Sequence, residues 1–284
     1  MSDSAEIAKT EIARAEAKAK GSSFYAGMKV LPKAERAAMF AIYAFCRAVD
    51  DIADEQGIDP DVRRRELDAW RADLAGLYAG GPGGRAAFLK PAMEQFGFRQ
   101  ADCLAVVDGM QMDVETDIVA PSFETFDLYC DRVASAVGRL SVKVFGMDEG
   151  PGETLSHHLG RALQITNILR DLDEDAEIGR FYLAREWLDA AGLPVGDPAL
   201  MIADPRIDAA ARPAAALAHR HYAEADKVMR GAKGCLMPPK LMGAVYGRIL
   251  TRMEQAGWAA PRTRIKLGKG EMLSVIARRL MLGR

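Results

Sequence analysis

The stretch NILRDLDED, residues 167–175, places Asp171, Asp173, Glu174 and Asp175 within five positions, directly after an apolar run carrying Leu163, Ile165, Ile168 and Leu169. Like charges at helical neighbour spacing repel by about 0.2–0.5 kcal/mol per pair unless a cation sits between them. On a helix, Gln164, Asn167, Asp171 and Asp175 fall at relative positions 0, 3, 7 and 11 and share one face. Gln164 and Asn167 carry the polar stripe back into the apolar half of the helix, so it reads as a lining that reaches inward.

A second stretch, YAFCRAVDDIADE at 43–55, repeats the layout: Tyr43, Arg47, Asp50 and Asp54 fall at 0, 4, 7 and 11, with Asp51 beside them. One DxxxD on a helix is ordinarily a solvated face. Two of them, each led by an in-phase polar approach and each next to an arginine, point to a shared ligand. Facing carboxylates at i and i+4 supply hard oxygen ligands for Mg²⁺, an ion that keeps several waters and is commonly shared between carboxylates and phosphates. Arg47 and Arg170 suit the remaining phosphate oxygens through charge-assisted hydrogen bonds. The expectation is a cluster of Mg²⁺ ions with a bound diphosphate. A di-iron carboxylate bundle needs ExxH pairs, and the chain has none.

Tyr43, Tyr129 and Tyr246 each stand in an apolar helical context. They read either as core residues with a satisfied hydroxyl or as the lining of a cavity whose rings stabilise a carbocation. Ala134, Ser135, Ala136, Gly138 and Ser141 allow close approach of an apolar substrate, or plain helix packing. His157, His158, His219 and His221 come with no Ser or Cys nucleophile motif and read as surface or cap residues without chemistry.

Positioning these stripes requires helices. Apolar residues recur at three and four along nearly the whole chain, which implies an all-α fold, with helices at roughly 5–19, 33–56, 61–79, 85–96, 100–115, 122–146, 151–178, 183–191, 206–232, 237–258 and 270–281. Ser122 after Pro121 reads as a helix cap, Gly179 as a stop and GGPGG at 80–84 as a turn. With 38 Lys and Arg against 40 Asp and Glu, the net charge of −2 argues against a nucleic-acid partner. Four scattered cysteines and an N-terminus without an apolar core point to the cytoplasm. The longest apolar run, Ala37 to Cys46, is too short to span a bilayer. No Gly-rich dinucleotide motif is present, so NADPH is not expected. The tail from Pro261 carries seven Lys or Arg and one acid around an apolar set. It reads either as a final helix packed on the body or as a peripheral contact with anionic lipid.

SSFYAGMKVLP (22–32), AIYAFCRAVDDIADE (41–55), YCDRVASAVG (129–138) and ALQITNILRDLDEDAEIGRFYL (162–183) together resemble the squalene and phytoene synthase family of head-to-head prenyl transferases, over essentially the whole chain. The resemblance implies one all-α isoprenoid-synthase domain over 1–284 with a central cavity. It implies Mg²⁺ ligation by Asp50, Asp54, Asp171 and Asp175. Diphosphate contacts would come from Ser23, Phe24, Arg47, Gln164, Asn167 and Arg170, and catalytic aromatic positions from Tyr43, Tyr129 and Tyr246. Relatives commonly have Gly where Ser135 stands and Pro where Ala184 stands. The run DGMQMDVETDIVAPSFETFDLYCDRVASAVGRLSVKVFG is most similar to presqualene diphosphate synthases of bacterial hopanoid pathways, which implies condensation of two farnesyl diphosphates. The alternatives are a phytoene or dehydrosqualene synthase and, outside enzymes, a helical cation-binding scaffold.

Overall fold

The structure, a computed structural model, describes Thr10, Ala13, Met28 and residues 31–55, 57–115, 118–268, 270–272, 274, 275 and 277. Ser23 and Phe24 lie outside the described residues, as does the expected first helix apart from Thr10 and Ala13.

The regular elements of the described chain are helices. In order come α1 (Lys33–Asp54), α2 (Pro60–Tyr78), a 3-10 turn (Gly84–Leu89) leading into α3 (Lys90–Phe96), α4 (Gln100–Glu115) and α5 (Phe123–Cys130). A π-helical turn (Asp131–Ser135) joins α5 to α6 (Ala136–Val144), followed by α7 (Glu149–Arg170), α8 (Leu172–Glu177), α9 (Arg185–Ala191), α10 (Pro198–Ala203), α11 (Ile207–Gly231) and α12 (Met237–Ala256). No strand occurs among the described residues. One parallel bridge, Val119 with Phe181, ties the segment before α5 to the one after α8. Ser122 caps α5, accepting from Thr125 N, and Gly179 takes a positive φ just after α8, as expected.

Three elements differ from the periodicity. α10 was hidden in a short segment between Gly196 and Pro205, although Asp197 caps it and Pro198 opens it. The helix expected over 122–146 carries the π turn, which α7 holds in place. Arg161, on α7 and 5 % exposed, donates Nε and Nη2 to both Asp127 oxygens at 2.7 and 2.9 Å and Nη1 to Asp131 at 3.1 Å and to Ser135 Oγ at 3.0 Å. The helix expected over 151–178 is interrupted at Asp171 (φ −104, ψ 19), because the Trp258 indole donates to the Leu169 carbonyl at 3.0 Å. That carbonyl would serve residue 173 in an unbroken helix. The hydrogen bonds Asp171 N to Asn167 O (2.9 Å) and Asp175 N to Asp171 O (2.8 Å) persist, so the polar stripe keeps helical spacing across the break.

Two apolar cores form among the described residues. One gathers α1 to α4, α6 and the first half of α7; the other gathers the second half of α7 with α9, α11, α12 and Trp258. Val133 and Tyr222 pack against both. α7 is the axis, packed on α11, α6 and α12. Its approach to the π turn and α6 is set by small residues. A Cβ on Gly160 would lie 2.7 Å from Ser135 Cα and 2.8 Å from its N, and one on Gly138 would lie 3.1 Å from Ser156 Cα.

Backbone atoms cannot yield as a side chain can. Gly160→Ala should therefore cost about 1–3 kcal/mol, read as a lower midpoint in thermal unfolding. Gly247→Ala in α12, where a Cβ meets nothing within 4 Å, should instead be neutral or stabilising by about 0.5–1 kcal/mol.

Candidate active site

α1, the π turn with α6, α7 and α12 enclose an apolar cavity of about 330 Å³. Met39, Ile42 and Tyr43 come from α1, Val137 and Gly138 from α6, Leu159 and Leu163 from α7, and Met242 and Tyr246 from α12. The small residues Ala134, Gly138 and Ser141 belong to this lining, and Gly138 also packs closely on Ser156 of α7.

Beside it lies a polar pocket of about 140 Å³ lined by Asp50 and Asp54 at the end of α1 and by Asp171 and Asp175 at the α7–α8 break. The two stripes are thus brought together. Gln164 and Asn167 line both the pocket and the cavity, forming the junction between them. Asn167 Oδ1 is buried with no hydrogen-bond partner among the described residues. A buried acceptor left unpaired costs about 1–3 kcal/mol.

Burial and neighbouring negative charge raise the acids of the pocket. Asp175 is pushed up to about 8, by burial first and then by Asp171. Asp50 is pushed up to about 6, by burial first and then by Asp54. Arg47 lies against the first motif, donating to Asp50 at 2.5 Å and Asp51 at 2.8 Å. Arg170 grips both Asp171 oxygens at 2.8 and 2.6 Å, with its guanidinium carbon 5.9 Å from the Tyr246 ring centroid.

The three tyrosines separate. Tyr43 and Tyr246 line the apolar cavity, whereas Tyr129 lines the polar pocket. The Tyr129 and Tyr182 rings stack at 4.8 Å, and both hydroxyls donate to Asp113, at 3.1 and 2.8 Å. Asp113 is nevertheless raised to about 6, because its burial outweighs these bonds.

Sequence reasoning missed Asp113, Tyr182 and, above all, Arg180. That arginine is 6 % exposed and donates to Asp54 Oδ1 at 2.7 Å and the Ala53 carbonyl at 2.9 Å. A basic residue directly after the Gly179 stop was the available signal. Two tail arginines also reach the site: Arg264 pairs with Asp171 at 2.7 Å and Glu174 at 3.0 Å, and Arg262 grips Asp173 at 2.7 and 3.0 Å.

The presqualene diphosphate synthase of Zymomonas mobilis is 56 % identical over 261 residues, covering 92 % of this chain and 89 % of that protein. The one from Rhodopseudomonas palustris is 50 % identical over 257 residues, covering 90 and 92 %. Phytoene synthases match at 32–37 %. Among solved structures, a dehydrosqualene synthase in complex with a ligand superposes with a TM-score of 0.79 at 23 % identity, covering 97 % of both chains, which shows a common fold. The squalene/phytoene synthase family profile matches residues 17–271, and with two facing aspartate motifs beside an apolar cavity the chain belongs to that family.

Proposed function

We propose that this chain joins two molecules of farnesyl diphosphate head to head, giving presqualene diphosphate, free diphosphate and a proton. The observation that carries the reading is the junction at Gln164 and Asn167, where a carboxylate-lined pocket suited to cations and diphosphate opens onto an apolar cavity suited to prenyl chains. The greater similarity to presqualene diphosphate synthases than to phytoene synthases favours this product over a hydrocarbon.

The residues present fit Mg²⁺. Four carboxylates from two elements face one pocket, and the buried, unpaired Oδ1 of Asn167 is a further hard oxygen at its edge. Asp50, Asp54, Asp171 and Asp175 would hold the ions, which when bound supply positive charge for a departing diphosphate. Arg47 and Arg170 lie against these carboxylates, which supports a role in which they would turn onto diphosphate oxygens. Holding both prenyl chains in one cavity makes their encounter effectively unimolecular. Tyr43 and Tyr246 offer ring faces to the allylic cation there. The apolar walls exclude water, so the cation is captured by the C2–C3 double bond of the second substrate and not by hydroxide. Tyr129, held by Asp113 in the polar pocket, acts at the diphosphate end. NADPH has no part in these steps. Val133 and Tyr222, packed on both cores, support treating the chain as one domain.

The first test is incubation with farnesyl diphosphate and Mg²⁺. A C30 diphosphate should accumulate equally with and without NADPH, and Asp50→Asn or Asp171→Asn should lower kcat by about 10²–10³-fold. A C30 hydrocarbon as the sole product would sink the assignment.

A second expectation concerns pH. Asp50 and Asp175 bind protons more tightly in the folded chain than a free carboxylate does. Their contribution to stability is therefore fully present below about pH 4 and is lost as pH rises through about 6 and then about 8. Metal-free protein should lose melting temperature across that window, Asp175→Asn should flatten the slope, and Mg²⁺ should restore stability at the alkaline end.

No helix among the described residues is long and apolar enough to cross a membrane. Contact of the tail with anionic lipid is supported by its seven basic residues against one acid, although Ile265, Leu267, Met272 and Val275 pack on the second core. The full chain should float with anionic vesicles and a chain ending at Pro261 should not; equal flotation removes the tail from that role.

A further inference from the structure

α7 and α11 bring together three imidazoles that the prenyl chemistry does not use. One nitrogen from each of His157, His158 and His221 lies within 4.8 Å of the others, and the Nδ1 atoms of His158 and His221 are 2.9 Å apart. The ring centroids are 4.8, 5.1 and 5.7 Å apart. A contact between two imidazole nitrogens is bridged by one proton, and the third ring brings another nitrogen to the same place. Two nitrogens on a tetrahedral ion with bonds of about 2.0–2.1 Å stand about 3.3 Å apart, which the observed spacings bracket. Small side-chain adjustments replace the shared proton with an ion. His219, by contrast, pairs with Glu254 at 2.6 Å and is not part of the cluster.

The surroundings permit a cation. Arg161 is close, but its guanidinium is engaged by Asp127, Asp131 and Ser135. Asp127 and Asp131, from α5 and the π turn, bias His157 toward positive charge, and on α11 Glu224 does the same for His158 while Lys227 is paired to Glu224 at 2.6 Å. Burial holds all three rings below the ordinary imidazole range, so their lone pairs are available at neutral pH. His157 is exposed, which leaves one side of the cluster to solvent.

We infer that His157, His158 and His221 form a site for one borderline transition-metal ion of the Zn²⁺ class, bound by three imidazoles with water in the fourth position and clamping α7 to α11. Imidazole selects Zn²⁺, Ni²⁺, Co²⁺ or Cu²⁺ over Mg²⁺, so the site is chemically distinct from the carboxylate pocket. It is also remote from it: His158 precedes Asp171 by thirteen residues, roughly 20 Å along the helix. An ion held between the two helices in the folded chain alone raises stability by mass action.

The test is calorimetric titration of tag-free, chelator-treated full-length protein with Zn²⁺ in excess Mg²⁺, which keeps the carboxylate pocket occupied. One Zn²⁺ per chain should bind and raise the melting temperature, and both His157→Ala and His221→Ala should weaken binding by more than about tenfold. Zn²⁺ binding that persists in either variant, or no binding in excess Mg²⁺, overturns the site. Should His221→Ala fail to fold, the exposed His157→Ala and Co²⁺ absorption carry the test. A visible d–d band of tetrahedral intensity that His157→Ala abolishes supports the site, and a band unchanged by that substitution rejects it.

Discussion

Arg180 donates to Asp54 from inside a pocket that five carboxylates line, Asp50, Asp54, Asp113, Asp171 and Asp175, and it is the one cation lining that pocket among the described residues. Burial disfavours the charged form of these acids and neighbouring like charge adds to the effect; Asp50, Asp113 and Asp175 are all raised. The fold neutralises what it can. Asp113 is held by two tyrosine hydroxyls, Asp54 by Arg180, Asp171 by Arg170 and Arg264, and Asp50 by Arg47. Of these cations Arg180 alone lines the pocket among the described residues. What remains facing inward is a concentration of negative charge whose natural complement is a multivalent cation.

That demand explains why α7 is two-toned. Its first half must be apolar enough to wall a prenyl-sized cavity, and its end must carry acids, so the transition falls within one helix at Gln164 and Asn167. Neutral amides suit the boundary because they bind charge without adding any. The price is a buried Asn167 oxygen without a protein partner, tolerable where ligand or ion completes the shell. Close packing of α7 on the π turn through Gly160 leaves little play in where this boundary falls. The Ser135 hydroxyl accepts from Arg161 and donates to the His157 carbonyl, adding polar ties at the same contact.

Much of this was legible as periodicity. Both stripes are spaced at 3.6 residues, and a helix that buries one face must show such spacing in its sequence. Spacing and resemblance together singled out the four motif aspartates, Gln164 and Asn167, which the structure brings to one pocket, and Tyr43 and Tyr246, which line the apolar cavity. Arg180 was not singled out, because its role is a contact across 126 positions and it stands on no helix. Asp113 and Tyr182 escaped for a related reason: each sits in an apolar context, and what defines it is the other residue. The histidines were read separately on two helices, and nothing in either segment reports that α7 and α11 pack with those positions in contact. The π turn and the break at Asp171 were invisible because Arg161 and Trp258, the residues that hold them, lie far away in sequence.

The break is also where the tail acquires a structural purpose. Trp258 takes the Leu169 carbonyl, and its own backbone N–H is held by Asp208 on α11, so the segment after α12 is anchored at both ends of one residue. From that anchor Arg262 reaches Asp173 and Arg264 reaches Asp171 and Glu174. Two basic residues that, from charge alone, looked directed outward are therefore turned onto the most acidic stretch of the chain. They answer the repulsion that DLDED carries in isolation. A segment whose sequence allowed either a final helix packed on the body or a peripheral lipid contact thus also supplies counter-charge to the second aspartate motif.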